Sequence, residues 1–286
     1  MIAYNKPIPQ AVDLHIFTVG VSTYVDSSRN LTFASKDAED IAQAFSGQTS
    51  HYKTIYQHVI TNKEANLKTV LQELEQLKNT SVDDEIILYF SCHGLLDDQL
   101  NYYLAMHDTD FEQPQSNGLS YQVLETALAQ IPARKRLLFI DACHSGEVDK
   151  SEIELEQNKP LSNTTIRMRA KSGNYTLQPK MGLRNSFAYM QTLFSNVTKS
   201  TGTTVISAAG GMEFALESKD WNNSAFTYAI LEGLESKKAD LDQDGLVKIS
   251  ELQKYVTFKV HQLTEGKQVP TTRHINRSND FLIYRY

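Results

Sequence analysis

Two apolar runs in this chain end in residues that can do chemistry. The stretch 84–94, DEIILYFSCHG, closes on Ser91-Cys92-His93-Gly94. The stretch 136–146, RLLFIDACHSG, closes on Asp141-Ala142-Cys143-His144-Ser145-Gly146. A thiol is a strong nucleophile as the thiolate, and a nearby imidazole supports that state. His144 adjoins Cys143 in sequence, so the two side chains are expected to point apart. His93 follows a different strand. If the two strands lie adjacent and parallel, His93 and Cys143 face each other across the carboxyl edge of the sheet. Gly94 and Gly146 leave room for close backbone approach, and the N–H groups of Gly94 and Cys143 are candidates for an oxyanion hole. The competing reading is that both thiols are small buried hydrophobes. Cys92 fits it well. Cys143, between an acid and a histidine at a strand end, fits it less well.

A second pattern suits a metal. Residues 240–251, DLDQDGLVKISE, match a calcium-loop template through Asp240, Asp242, Asp244, Gly245 and Glu251. Alternating carboxylates converge on one hard cation, and the glycine permits the turn. The plainer alternative is an acidic turn ahead of a helix, with Ser250 and Gln253 as its capping pair.

The elements that must position these groups alternate. Strands are expected at 13–22, 52–60, 84–94, 135–146 (with its terminal loop), 203–210 and 280–286, with an edge piece at 101–108. Helices are expected at 35–46 (capped by Ser35), 63–79, 120–131, 224–236 and 250–263, with a further one at 185–197. The central strands are continuously apolar, which predicts an α/β fold with a mostly parallel sheet covered on both faces. Ligands of such sheets sit outside the carboxyl ends of the strands, where both cysteine–histidine motifs fall. Residues 147–184 break the rhythm. They are polar, and read as a long loop that is either functional or disordered.

Bulk composition narrows the function classes. The chain has 286 residues, 41% hydrophobic, with net charge −6. The negative balance gives nucleic acid no electrostatic encouragement. No apolar run approaches the ~20 residues that span a bilayer, and the first twenty residues lack the pattern of a leader. Two cysteines make no disulfide framework. A cytoplasmic protein without nucleic-acid or membrane partners is the expectation.

The two catalytic-looking motifs resemble the histidine and cysteine motifs of caspase-like peptidases, and the Asp-Ala-Cys-His-Ser-Gly form is most similar to metacaspases and bacterial caspase homologues. The likeness continues through TVISAAGGMEFALES, SAFTYAILEGL and QVPTTRHINRSNDFLI. The separation of His93 and Cys143, fifty residues, is the spacing known for caspases and belongs to the resemblance. Cys92 departs from the family, which usually carries glycine there.

The resemblance implies one caspase–haemoglobinase domain over 1–286: a large half at 11–149, a linker at 150–200 and a small half at 201–286. It implies a cysteine endopeptidase acting on proteins, with Cys143 as nucleophile and His93 as proton carrier and no cofactor required for the chemistry. A stress or defence role is the expectation from its bacterial members. Carried over by position, Asp37, Ser91 and Asp141 line the primary specificity pocket, with Glu213 and Glu217 adding negative field. An acidic pocket takes a basic residue, and bidentate geometry favours Arg over Lys. The alternative is that Asp37 serves a helix dipole and Asp141 a structural hydrogen bond. Metacaspases often need calcium near the catalytic loop, where Asp108, Asp110 and Asp149 are the acids at hand. The linker carries Arg167, Arg169, Lys171 and Arg184, together with Lys150, Lys159 and Lys180. These are residue types such a pocket accepts, so self-cleavage or cleavage by an activating protease is expected there. Two rival classes stay open: a caspase-shaped scaffold without activity, and a thiol switch that joins Cys92 to Cys143.

Overall fold

The computed structural model describes residues 12–144, 166–168, 203–208, 216–273 and 280–286, with backbone alone for 143, 144 and 166–168. Strand β1 (Leu14–Gly20) is followed by α1 (Ala34–Ser46), β2 (Ile55–Thr61), α2 (Leu67–Gln76) and β3 (Glu85–Leu96). The short strands β4 (Tyr102–Leu104) and β5 (Leu119–Ser120) precede α3 (Tyr121–Ala129) and β6 (Lys135–His144). The second half holds β7 (Ile166–Met168), β8 (Thr203–Ser207), β9 (Leu216–Ser218), β10 (Asn223–Ser224) and α4 (Ala225–Glu235). Then come β11 (Leu246–Lys248), α5 (Ile249–Leu263), β12 (Thr271–Arg273) and β13 (Leu282–Arg285).

The central sheet has the order β12-β8-β6-β3-β1-β2. β2, β1, β3, β6 and β8 run parallel, while β12 closes one edge antiparallel to β8. Strand alternation sorts its side chains into two cores. Phe17, Leu88, Phe90 and Ile140 pack with Val70 and Leu74 of α2 and Leu124 of α3. Ile16, Tyr89 and Phe139 pack with Ile41 and Phe45 of α1, Phe226 of α4 and Val256 of α5. Each fully buried Phe or Leu contributes about 1.5–3 kcal/mol, and two-sided burial explains why the central strands carry so little polar sequence.

Four local expectations changed. Ser35 does not cap α1; it lies inside the helix, and its N–H and hydroxyl bond Ser22 Oγ at 2.8 and 3.0 Å. Ser250 does not cap α5 either. Lys248 occupies that position, and the Glu251 carboxylate accepts its N–H at 2.9 Å. The stretch 147–184 contains strand β7, which pairs antiparallel with β9. Finally, β13 pairs with β11 in a two-stranded sheet of its own instead of extending the main one. The helix expected at 185–197 lies outside the described residues. No helix among the described residues is long and apolar enough to cross a membrane.

Candidate active site

The ladder between β3 and β6 builds the site. The parallel register pairs Ser91 with Asp141, Cys92 with Ala142, His93 with Cys143 and Gly94 with His144. Cys143 therefore stands at the register position beside His93, as the sequence motifs require. Cys92 pairs with Ala142 and is 1% exposed in the apolar cluster of Phe90 and Ile140. Successive strand residues face opposite ways, so Cys92 is a core side chain. A cross-link to Cys143 asks it to leave that core.

His93 is 5% exposed and held through both its backbone and its ring. Its backbone N–H donates to Tyr24 Oη at 3.1 Å, and its carbonyl accepts from Ala105 N–H at 2.8 Å. Its ring Nε2 lies 2.7 Å from the carbonyl oxygen of Arg29. A carbonyl only accepts, so this bond selects the tautomer with the proton on Nε2 and leaves the lone pair on Nδ1. The next residue, Gly94, must be glycine. A Cβ there would lie 2.1 Å from Tyr102 Oη, and Tyr102 is itself buried against the end of β3.

Two residues before Cys143 on β6 lies Asp141, and Asp37 of α1 lies close by; both carboxylates are 0% exposed. Asp37 is delivered by α1. Gly20 at the end of β1 lets that helix start close over the sheet, since a Cβ on it would meet Ala34 O at 2.3 Å. Asp37 accepts from Ser91 Oγ at 3.5 Å, Asn223 Nδ2 at 3.0 Å and Ser224 N–H at 3.2 Å. Asp141 accepts from Ser224 Oγ, and from Tyr89 Oη and Thr227 Oγ1 at 3.3 Å each. The structure thus brings together Asp37, Ser91 and Asp141. Glu217, 5% exposed on β9, pairs in register with Ser224 and reaches the same neighbourhood. Glu213 lies outside the described residues.

Sequence reasoning missed several contributors. Ser224 carries the signal of a helix cap, and it does cap α4 by accepting from Thr227 N–H at 3.0 Å. Its link to both carboxylates has no local signature. Tyr24, Arg29 and Phe111 around His93 come from two loops whose sequences show nothing unusual.

The acidic loop gathers three of its carboxylates. Carboxylate oxygens of Asp240, Asp242 and Asp244 lie within 4.8 Å of one another. Glu251 does not join them, because its two oxygens accept from Leu241 and Lys248 N–H at 3.0 and 2.9 Å. The Lys248 ammonium sits 3.6 Å from Asp242 and 3.7 Å from Asp244. Near His93, Asp110 accepts backbone N–H groups of Glu112 and Gln113, and the Asp108 carbonyl accepts from Asn117. Asp149 and the linker residues Arg169, Lys171 and Arg184 lie outside the described residues. Arg167, on β7, pairs in register with Glu217.

Comparison with known proteins follows this geometry. The family model described as Caspase domain matches residues 15–282. No curated protein matches the chain. Among solved structures the chain is similar to the crystal structure of protein GSU0716 from Geobacter sulfurreducens, with a TM-score of 0.61 and 16% identity. That match covers 94% of this chain and 96% of the other. At such identity the likeness is one of fold.

Proposed function

This chain belongs to the caspase-domain peptidase family, and from that premise we propose that it is a cysteine endopeptidase cleaving proteins after Arg, and less well after Lys. The register pairing of His93 with Cys143 carries the reading. His93, its Nε2–H donating a hydrogen bond to Arg29 O, takes the thiol proton on Nδ1. The thiolate of Cys143 attacks the scissile carbonyl, and the N–H groups of Gly94 and Cys143 receive the oxyanion. His93 then hands its proton to the leaving amine. Water hydrolyses the acyl-enzyme, giving up its proton through the same imidazole and freeing the thiol.

The carboxylate pair supports basic specificity. Asp37 and Asp141 are buried and joined through Ser224, so they concentrate negative charge that suits a basic side chain, and a guanidinium supplies both charge and a two-pronged donor. Partners are then protein substrates with exposed Arg or Lys. The linker, with Arg167, Arg169, Lys171 and Arg184, is proposed as a segment the enzyme or an activating protease cuts. Calcium is proposed as a structural ligand of Asp240, Asp242 and Asp244, apart from the chemistry. A chain with two thiols and no disulfide framework suits the reducing cytoplasm, where we place its work.

The deciding experiment compares wild type with Cys143→Ala on peptides ending in Arg, Lys or Asp, and sequences new N-termini after incubation. Cleavage after Arg by wild type alone is expected, with a new terminus inside 147–184. Equal signals from both proteins would reject the assignment.

A further inference from the structure

The Nε2 bond fixes which nitrogen of His93 carries a proton, and the rings packed against the imidazole bear on how it is oriented. Two other rings close on it. The Tyr24 ring lies 5.2 Å from that of His93, tilted by 46°. Phe111 meets His93 edge-on at 5.4 Å and 78°, and meets Tyr24 edge-on at 5.3 Å and 80°. The three rings form a closed triangle in the range preferred for aromatic pairs. The outer side of Phe111 is covered in turn by the Arg29 guanidinium, 4.8 Å from the ring centre, and Arg29 leans on Asp26 at 3.6 Å.

Both loops that supply these residues are tied down. The 22–31 loop is closed by Leu31 N–H on Ser22 O at 2.9 Å and Tyr24 N–H on Asn30 Oδ1 at 2.8 Å. It is joined to the loop carrying Phe111 by Val25 N–H on His107 O at 3.0 Å and by His107 Nδ1 against Thr23 O at 2.6 Å. Arg29 contributes twice, with its carbonyl on Nε2 and its guanidinium on Phe111, so a shift of either loop moves the imidazole.

We propose that Tyr24 and Phe111 are positioning residues for the peptidase reaction, forming an aromatic clamp that holds the His93 imidazole in its proton-transfer orientation. This rests on the reading of His93 and Cys143 as the reacting pair. Neither clamp residue needs to touch substrate. Their effect is on the transfer step, so they govern kcat and leave KM alone. A misplacement near 1 Å can cost roughly 100-fold in rate, which sets the expected scale.

The experiment uses the full chain with Phe111→Ala, Phe111→Tyr and Tyr24→Phe. The last keeps the ring and removes the acceptor of the His93 N–H. Peptide cleavage is measured as kcat and KM separately, with melting temperature as the folding control. In parallel, the rate of Cys143 alkylation by iodoacetamide is measured, with Cys143→Ala as background. Phe111→Ala is expected to lower kcat by about 10- to 100-fold with KM within about twofold, and to slow alkylation. Tyr24→Phe lowers kcat less, and Phe111→Tyr, which keeps the ring edge, restores it. Unchanged kcat and alkylation in well-folded Phe111→Ala would overturn the clamp, as would a rise in KM alone. Wild type that cuts no peptide would instead reject the peptidase reading, and the alkylation rates would still judge the clamp.

Discussion

Asp37 on α1 and Asp141 on β6 are joined through a single residue, Ser224. Its N–H donates to Asp37 Oδ1 at 3.2 Å, and its hydroxyl donates to Asp141 Oδ2. The first acid belongs to the chain's first helix and the second to the strand that ends at Cys143. The linking serine lies far along the chain from both acids, so this cluster forms only when distant segments fold together.

The pocket follows charge. On the proposed basic specificity, Asp141→Asn and Asp37→Asn would each remove a buried partner of the substrate cation, a change of about 2–5 kcal/mol. Catalytic efficiency on Arg peptides should fall by 30-fold or more, with Lys peptides affected alike. Ser224→Ala should cost about 1 kcal/mol through its lost bonds. Measured kcat/KM on matched peptides decides, and equal cleavage after Asp and Arg in wild type would reject the acidic pocket.

The dyad separates from its neighbour. His93→Ala should abolish cleavage, as Cys143→Ala does, with the melting temperature little changed. Cys92→Gly should keep activity while losing roughly 1–2 kcal/mol of stability, because it empties a fully packed site. Gly94→Ala should fail in both respects, since the added Cβ would overlap buried Tyr102. An active His93→Ala protein would require another base.

Glu232 gives the stability a pH signature. Burial works against its charge, but hydrogen bonds from Lys238, Lys259 and Tyr255 outweigh it and lower its pKa from 4.5 to about 2. A lowered folded-state value stabilises the fold above the unfolded value, and that gain is lost as pH falls towards the folded one. The full linkage is about 3 kcal/mol, reduced to about 1–2 by the exposure of Lys238 to solvent. Wild type should exceed Glu232→Gln in denaturant stability by that margin above pH ~5, and the gap should close between about 4.5 and 2. A gap independent of pH would show that the carboxylate charge is not its source.

On the proposal that the acidic loop takes calcium, Lys248 is an internal competitor for it. With the Lys248 ammonium beside Asp242 and Asp244, Lys248→Ala should strengthen calcium-dependent stabilisation, and Asp240→Ala with Asp244→Ala should remove it. Melting curves with calcium and with a chelator test this. Identical wild-type curves would leave the loop as a turn capped by Glu251.

Much of this protein was legible in its linear pattern. Continuous apolar runs at 86–90 and 137–140 are what burial on both sheet faces demands, and they locate the parallel core and the strand ends where His93 and Cys143 fall. Hydrophobic spacing found α1 and α2, because one stripe of each faces a core. Other features had no local signal. Ser35 reads as a cap, yet the contact with Ser22 brought it inside the helix. Strand β7 is three residues in a polar stretch, and nothing in those residues announces a ladder with β9. Sequence alone determined the residue types, their order and the two strand ends that carry them. Tertiary structure alone decided that β3 and β6 are neighbours, in the register that pairs His93 with Cys143. It also decided that Ser224 would bridge Asp37 and Asp141, and that Tyr24 and Phe111 would enclose the imidazole. Periodicity is imposed within a single element by local burial, whereas register and convergence arise from contacts between elements far apart along the chain.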